Sequence, residues 1–156
     1  MKTEIKTAQK MNKEEKMRKK KILVVDDDRK ILDLLQFKLS VQGYDVLTAR
    51  DEKEFFSQAF DGKPDLLILD IWLKHRLGTE LYDSLLSFGF DSEVPVIFIT
   101  ALIENSPPKR ISSGGKFALF SKPFDFEQLL DEISRLISRD LPDSAEVHNV
   151  SEGRNP

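Results

Sequence analysis

Short apolar runs alternate with amphipathic segments along this chain. We predict strands over residues 22–25, 45–48, 66–69, 94–99 and 117–120. Most of these runs are continuously apolar rather than alternating, which is typical of strands that are buried on both faces in a parallel sheet. The pattern therefore predicts a sheet that is covered by helices on both sides.

The segments between the runs have apolar residues at helical spacing. They predict helices over 29–41, 52–60, 79–88 and 124–138, and Gly43 supplies a stop signal after the first of them. Strands that alternate with helices indicate a doubly wound α/β fold with a five-stranded parallel sheet.

One connection departs from this regular alternation. Between the fourth and fifth strands, Pro107, Pro108 and the Gly114-Gly115 pair leave room for only a turn or two of helix. We therefore predict that the helix between strands four and five is short or irregular.

Polar side chains follow the carboxyl ends of four predicted strands. They are Asp26 and Asp27, Asp70, Thr100, and Lys122. Each of them has an ordinary explanation when taken alone, as a helix cap, a strand-end acid or a surface lysine. Because ligands of parallel sheets bind beyond the carboxyl ends of the strands, their coincidence indicates a site for a cation and a phosphoryl group.

The residue types at these strand ends suggest a particular chemistry. Carboxylates without histidine or cysteine form an oxygen-only ligand set, which suits magnesium. A carboxylate can also attack phosphorus and form an aspartyl phosphate. Such a transfer requires positioning and neutralisation of the phosphoryl oxygens, which a hydroxyl and an ammonium can provide.

Composition restricts the class of protein. A chain of 156 residues with 40% hydrophobic content is large enough for a single domain with its own core. The chain has no cysteine, which excludes disulfides, thiolate metal sites and a cysteine nucleophile. We expect no membrane span and a cytoplasmic location, because no apolar stretch is long enough and the lysine-rich start lacks a signal-peptide core.

Charge is distributed unevenly along the chain. Residues 1–21 carry nine lysine or arginine residues against three glutamates, although the whole chain has a net charge of -3. We predict that residues 1–20 form a basic flexible leader, with nucleic acid, an anionic membrane surface or an acidic protein as alternative partners. Nucleic acid is the unlikely partner, because the leader lacks interleaved aromatics and a recognisable nucleic-acid fold. Residues 139–156 are polar and aperiodic, which predicts a flexible C-terminal tail.

Four motifs in order along the chain resemble the receiver domain of two-component response regulators. They are ILVVDDD at 22–28, LILD at 67–70, FITA at 98–101 and SKPF at 121–124. Gly78, eight residues after Asp70, also fits that pattern. The resemblance covers about residues 20–138, and we assign 21–138 to the receiver domain.

The resemblance implies a flavodoxin-like fold with strand order 2-1-3-4-5. It also implies that Asp70 accepts a phosphoryl group from a histidine kinase or a histidine phosphotransfer protein. Mg²⁺ would be held by Asp26, Asp27, Asp70 and the backbone carbonyl of Trp72.

Two further residues receive roles from the same resemblance. Thr100 would hydrogen-bond one phosphoryl oxygen, and Lys122 would pair with another. The Lys122-Pro123 peptide bond is expected to be cis. The domain would signal to an unidentified downstream protein, and it would catalyse only its own phosphorylation and dephosphorylation.

Some positions differ from the family pattern. Leu119 stands where an aromatic switch residue is expected, so the ring movement that many receivers couple to the threonine cannot operate in that form. Trp72 and Leu102 are bulky beside the expected phosphorylation site, and we hypothesise that they hinder an attacking water and prolong the phosphorylated state. The alternative is that both side chains simply pack against their neighbours.

Two other functions are alternatives to a phosphoacceptor switch. A magnesium-dependent phosphatase with an aspartyl-phosphate intermediate would need a second acid two residues after Asp70, and Trp72 occupies that position, which argues against this class of enzyme. An interaction module that works without phosphorylation is favoured by Leu119 and by the proline-interrupted helix.

Overall fold

A computed structural model of the chain describes residues 2–101 and 116–138. Its five strands form one parallel sheet in the order β2-β1-β3-β4-β5. The strands are β1 (Lys21–Val25), β2 (Asp45–Ala49), β3 (Leu66–Asp70), β4 (Val96–Thr100) and β5 (Phe117–Ser121). The predicted fold class and strand order are confirmed. The predicted irregular helix between the last two strands lies outside the described residues.

Helices connect the strands at the predicted positions. They are α2 (Arg29–Val41), α3 (Glu52–Gly62), α4 (Gly78–Ser87) and α5 (Phe126–Ile137). Three of them begin at an aspartate whose side chain accepts a hydrogen bond from a backbone amide of the first turn, at Asp28, Asp51 and Asp125. These caps satisfy amide groups that have no partner within the helix.

Both faces of the sheet are buried. Successive residues of a strand point to opposite faces, so each apolar run contributes to two cores. One core packs strand residues against α2 and α5, and includes Ile22, Ile68, Phe120, Leu35 and Ile133. The other packs the alternate residues against α3 and α4, and includes Leu23, Leu69, Phe98, Phe55 and Leu81. This double burial explains why the runs are continuously apolar.

The strand register places the polar residues at one edge. Val25 pairs with Leu69, so Asp26 and Asp70 follow neighbouring positions at the ends of adjacent strands. Thr100 pairs with Ser121, which brings Lys122 to the same edge. The convergence that the sequence predicted is thus a result of parallel pairing in this register.

The basic leader contains a helix that the sequence did not predict, α1 (Lys2–Met17). This segment lacks glycine and proline and is rich in lysine and glutamate, which favour helices. Arg18 connects it to the sheet by a 2.8 Å ion pair with Asp65, whose other carboxylate oxygen accepts a hydrogen bond from the Lys21 amide. Flexibility of the leader in solution stays a prediction, and the predicted C-terminal tail lies outside the described residues.

No helix within residues 2–101 and 116–138 is both long and apolar enough to cross a membrane.

The two cores predict how substitutions of phenylalanine affect stability. Phe55 is completely buried in the core between the sheet and helices α3 and α4, so Phe55→Ala should lower the free energy of unfolding by about 3–5 kcal/mol. Phe37 on α2 is 69% exposed, and Phe37→Ala is the matched control with an expected change within about 0.5 kcal/mol. Urea unfolding followed by circular dichroism measures both. Equal losses in the two variants would contradict the assigned core.

Candidate functional site

A single ammonium group lies between two buried carboxylates at the carboxyl edge of the sheet. The Nζ of Lys122 donates to Asp26 Oδ2 and to Asp70 Oδ2, at 2.9 Å in each case. Asp26 is 4% exposed and Asp70 is 6% exposed, so these ion pairs are only weakly screened by water. The three residues come from the ends of β1, β3 and β5, which are far apart in sequence.

Backbone amides fix the orientation of both carboxylates. Asp70 Oδ1 accepts a 2.9 Å hydrogen bond from the amide of Trp72, and Asp26 Oδ1 accepts a 2.8 Å bond from the amide of Asp28. Each carboxylate is therefore held on one oxygen by its own loop and on the other by Lys122. Such restraint leaves a charged group ready to react or to bind without a large rearrangement.

Asp26, Asp27 and Asp70 could together hold a metal ion. One carboxylate oxygen from each residue lies within 4.8 Å of the others. Asp26 and Asp70 are buried, whereas Asp27 is partly exposed and keeps the group accessible from solvent. A set of oxygen ligands with bound water is the coordination that Mg²⁺ prefers, so these residues fit that ion.

Burial dominates the electrostatics of Asp26. It raises the pKa of this carboxyl from 3.8 to about 6, and the nearby Asp70 carboxylate contributes to the rise. Hydrogen bonds from the Asp28 amide and Lys122 act in the opposite direction but do not cancel it. The ionised form of Asp26 is therefore held in an unfavourable environment, which a second cation would improve.

Lys122 keeps its charge despite partial burial. Burial alone would lower the pKa of this ammonium, but its hydrogen bonds to Asp70 and Asp26 outweigh that effect and raise the pKa. Lys122 therefore stays protonated at neutral pH and gives the edge a permanent positive charge.

The backbones of Thr100 and Lys122 are in contact at the end of β4. Thr100 is 7% exposed, and its carbonyl accepts a 2.7 Å hydrogen bond from the Lys122 amide. The Lys122-Pro123 bond is cis, as expected. The structure thus brings Thr100 to the same edge as the acids and Lys122.

The loop between β3 and α4 approaches the site very closely at Gly78. A Cβ on Gly78 would lie 2.0 Å from the carbonyl oxygen of Asp70, a distance that no side chain can tolerate. The Gly78 amide also donates to the carbonyl of Ile71 at 2.8 Å. Glycine is required here because the helix starts directly against the strand end.

Arg76 braces this loop, a role that the sequence did not indicate. Arg76 forms a 2.5 Å ion pair with Glu52 at the start of α3, and its other nitrogen donates to the Ser84 hydroxyl at 2.8 Å. The loop that carries Trp72 is thereby tied to two helices. No spacing pattern pairs these residues, because Glu52 lies 24 positions before Arg76.

Comparison with known proteins identifies related sequences. The model of the response regulator receiver domain family matches residues 22–134. The response regulator MprA of Mycobacterium leprae is 35% identical over 127 residues, which is 80% of this chain and 54% of that protein. The chain therefore spans about half the length of the curated relatives it matches.

Solved structures with the same fold include two proteins of high coverage. Chemotaxis protein CheY4 of Vibrio cholerae has a TM-score of 0.67 and 28% identity, over 76% of this chain and 99% of that one. Response regulator TrrA of Thermotoga maritima, solved in complex with Mg²⁺-BeF, has a TM-score of 0.64 and 31% identity, over 75% and 98% of the respective chains.

The environment of Asp26 predicts a pH effect on stability. Because the folded pKa of about 6 exceeds the unfolded value of 3.8, the folded state binds more protons between these values. The contribution of Asp26 to stability is thus complete below about pH 4 and is lost as the pH rises through about 6. Asp26→Asn should remove this loss and stabilise the metal-free protein at pH 7 by on the order of 2 kcal/mol.

Urea unfolding in the presence of a chelator, repeated from pH 4 to pH 7, measures this difference. Asp45→Asn removes an exposed carboxylate from β2 and is the matched control. Its stability should fall between pH 4 and pH 7 by as much as that of wild type. An Asp26→Asn variant that is less stable than wild type at pH 7 would show that the ion pair with Lys122 outweighs burial.

Proposed function

Because the chain belongs to the response regulator receiver domain family of two-component systems, we propose that Asp70 accepts a phosphoryl group from a phosphohistidine of a histidine kinase or phosphotransfer protein. An Asp70 carboxylate oxygen forms a bond to phosphorus, while the bond between phosphorus and the imidazole nitrogen breaks and its electron pair stays on the imidazole. The observation that carries the proposal is the Lys122 ammonium, which lies 2.9 Å from carboxylates of both Asp26 and Asp70.

Mg²⁺ would be held by Asp26, Asp27, Asp70 and the backbone carbonyl of Trp72. When bound, it neutralises charge on the carboxylates and on the phosphoryl group. Three observations support this assignment: the three acids lie close together, burial opposes the charge of Asp26, and the similar TrrA was solved with Mg²⁺-BeF.

Lys122 and Thr100 would bind the phosphoryl oxygens. The Lys122 ammonium can exchange its contact with Asp70 for one with a phosphoryl oxygen, because the phosphorylated carboxyl carries less charge on its own oxygens. The Thr100 hydroxyl would donate to another oxygen from the neighbouring strand end. Thr100 is the last residue of the fully buried strand β4, and Lys122 directly follows β5, so both backbones are anchored beside the site.

The phosphorylated domain would act as a switch for an unidentified downstream protein and not as an enzyme on other substrates. We also propose a cytoplasmic location, where kinases of this class transfer phosphate. Leu119 is aliphatic and partly buried against the α3 and α4 core, so the signal would be transmitted by something other than an aromatic ring. The same residue favours the second candidate, an interaction module that works without phosphorylation.

Phosphorylation of Asp70 is directly testable with a small phosphodonor. The full chain incubated with acetyl phosphate and Mg²⁺ should gain one phosphoryl group, measured by intact mass at neutral pH. Asp70→Asn should lose the label because it lacks the nucleophile. Lys122→Gln should reduce the labelling rate by on the order of tenfold or more, because one charge-assisted contact is lost.

Asp45→Asn is the control for the loss of one carboxylate, and it should be labelled as wild type. Omission of Mg²⁺ should abolish labelling in every variant. Failure of the wild-type chain to be labelled, with acetyl phosphate or with a phosphohistidine donor, would leave the phosphorylation-independent module as the function. Labelling that persists in Asp70→Asn would contradict the choice of nucleophile.

The bulk of Trp72 predicts a slow return to the unphosphorylated state. Its side chain is 51% exposed beside Asp70, where it can obstruct an attacking water, whereas Leu102 lies outside the described residues. Trp72→Asn should accelerate phosphate release by roughly tenfold, equivalent to about 1.4 kcal/mol of barrier. Trp72→Phe keeps an apolar ring and should stay slow. The rate of phosphate release after removal of the phosphodonor measures this effect. Equal release rates in wild type, Trp72→Asn and Trp72→Phe would contradict this role.

A further inference from the structure

Helix α1 presents its lysines in one stripe, which we define as Lys2, Lys6, Lys10 and Lys13. These positions follow each other at intervals of four, four and three residues, so they lie within about 80° around the helix axis. All four side chains are exposed. At about 1.5 Å per residue, the stripe is a straight row of charge about 16 Å long.

Glu4 and Glu14, the acidic side chains of α1 that the structure describes, compete with this stripe only weakly. Glu4 lies on the opposite side of the helix by the same angular count. Glu14 lies at the margin, and its carboxylate is 4.0 Å from the Lys10 ammonium, with the two side chains 68% and 78% exposed. An ion pair that is so exposed contributes little. The row of lysines therefore keeps its positive potential toward solvent.

The stripe is separated from the acidic edge of the domain. Arg18, one residue beyond α1, pairs with Asp65 just before β3, and Lys21 begins β1. These contacts attach α1 at the amino ends of the strands, whereas Asp26 and Asp70 lie at the carboxyl ends. The attachment point of α1 and the acidic site therefore lie at opposite ends of the strands.

We propose that α1 binds the phosphate backbone of double-stranded nucleic acid through the lysine stripe, independently of base sequence. A straight row of ammonium groups on a helix matches a rigid polyanion with regularly spaced charges. The leader has no aromatic residue, so it cannot stack on unpaired bases, and this favours a duplex over a single strand.

An anionic membrane is the less suitable partner. Ile5 and Met11 are 57% and 64% exposed, but their positions lie about 120° apart around the helix and do not form an apolar stripe. Glu4 lies within about 20° of Met11 around the helix axis, on the side that would have to enter the lipid boundary. Helices that lie on membranes need a continuous apolar face opposite their charges.

The helical conformation is what makes this proposal possible. As a flexible chain, the basic leader has no defined face, and its lack of aromatic residues argued against nucleic acid. That argument applies to single strands, where bases are read by stacking. A duplex backbone requires only charge in the correct geometry. Like-charged neighbours along the stripe also repel each other, so phosphate contacts would stabilise α1.

Fluorescence anisotropy with a labelled mixed-sequence DNA duplex of about 20 base pairs tests the proposal on the full chain. We expect a dissociation constant on the order of tens of micromolar at low salt, and this constant should increase as the salt concentration rises. The slope of log K against log salt should be about −3 to −4, which corresponds to roughly four phosphates. Circular dichroism should show increased helix content when the duplex is added.

Two variants distinguish the effect of the stripe on binding from the effect of the net charge of the chain. Lys6→Gln/Lys10→Gln/Lys13→Gln should weaken binding at least tenfold and reduce the slope to about −1. The matched control Lys30→Gln/Lys53→Gln/Lys74→Gln removes the same charge from exposed positions of the domain and should bind as wild type.

A rearranged variant keeps composition and charge constant. Lys6→Thr/Thr7→Lys/Asn12→Lys/Lys13→Asn moves two lysines away from the stripe by one position each. It should lose most of the affinity if the stripe is the binding element.

Three results would overturn the proposal: wild-type affinity in the rearranged variant, tighter binding to a single strand of the same length, or binding to phosphatidylserine vesicles without binding to the duplex. Because Asp70→Asn does not alter the leader, it should bind the duplex as wild type. Failure of the phosphorylation test and failure of this test are therefore distinguishable.

Discussion

Burial of a parallel sheet on both faces is the constraint from which the rest of this domain follows. Such a sheet has no exposed face where a charged side chain can lie, so charges are confined to the strand ends. Parallel pairing brings those ends to one edge, and the register aligns Val25 with Leu69 and Thr100 with Ser121. The site is therefore a consequence of the packing and not an addition to it.

Concentration of acids at this edge has an electrostatic cost that determines the properties of the site. Two buried carboxylates share the ammonium of Lys122, and every buried polar side-chain atom in residues 2–101 and 116–138 has a hydrogen-bond partner. Even so, burial keeps the pKa of Asp26 raised to about 6. An incomplete balance of this kind favours a bound cation and makes the edge sensitive to added charge, which is the behaviour that the proposed switch requires.

Particular residues show where prediction from sequence succeeded and where it failed. The runs at 66–69 and 94–99 were recognisable as buried strands because they are continuously apolar, and Asp70 and Thr100 were recognisable as their polar ends. Helix α1 was missed because its described side chains are all exposed, whereas most helices are recognised by the apolar face that they bury. The brace formed by Arg76 with Glu52 and Ser84 could not be predicted, because it joins three separate elements without a sequence pattern.

The sequence by itself determined the order of the five strands and of helices α2 to α5, the polar residues at four strand ends, and the motifs that connect the chain to the receiver family. Local periodicity and residue type carry that information. Only the tertiary structure decided that Lys122 contacts both Asp26 and Asp70, that Gly78 must lie against the Asp70 carbonyl, and that Arg18 joins the end of α1 to Asp65. These features depend on distances between elements and on the direction of side chains, which the pairing register, helix packing and backbone conformation set together.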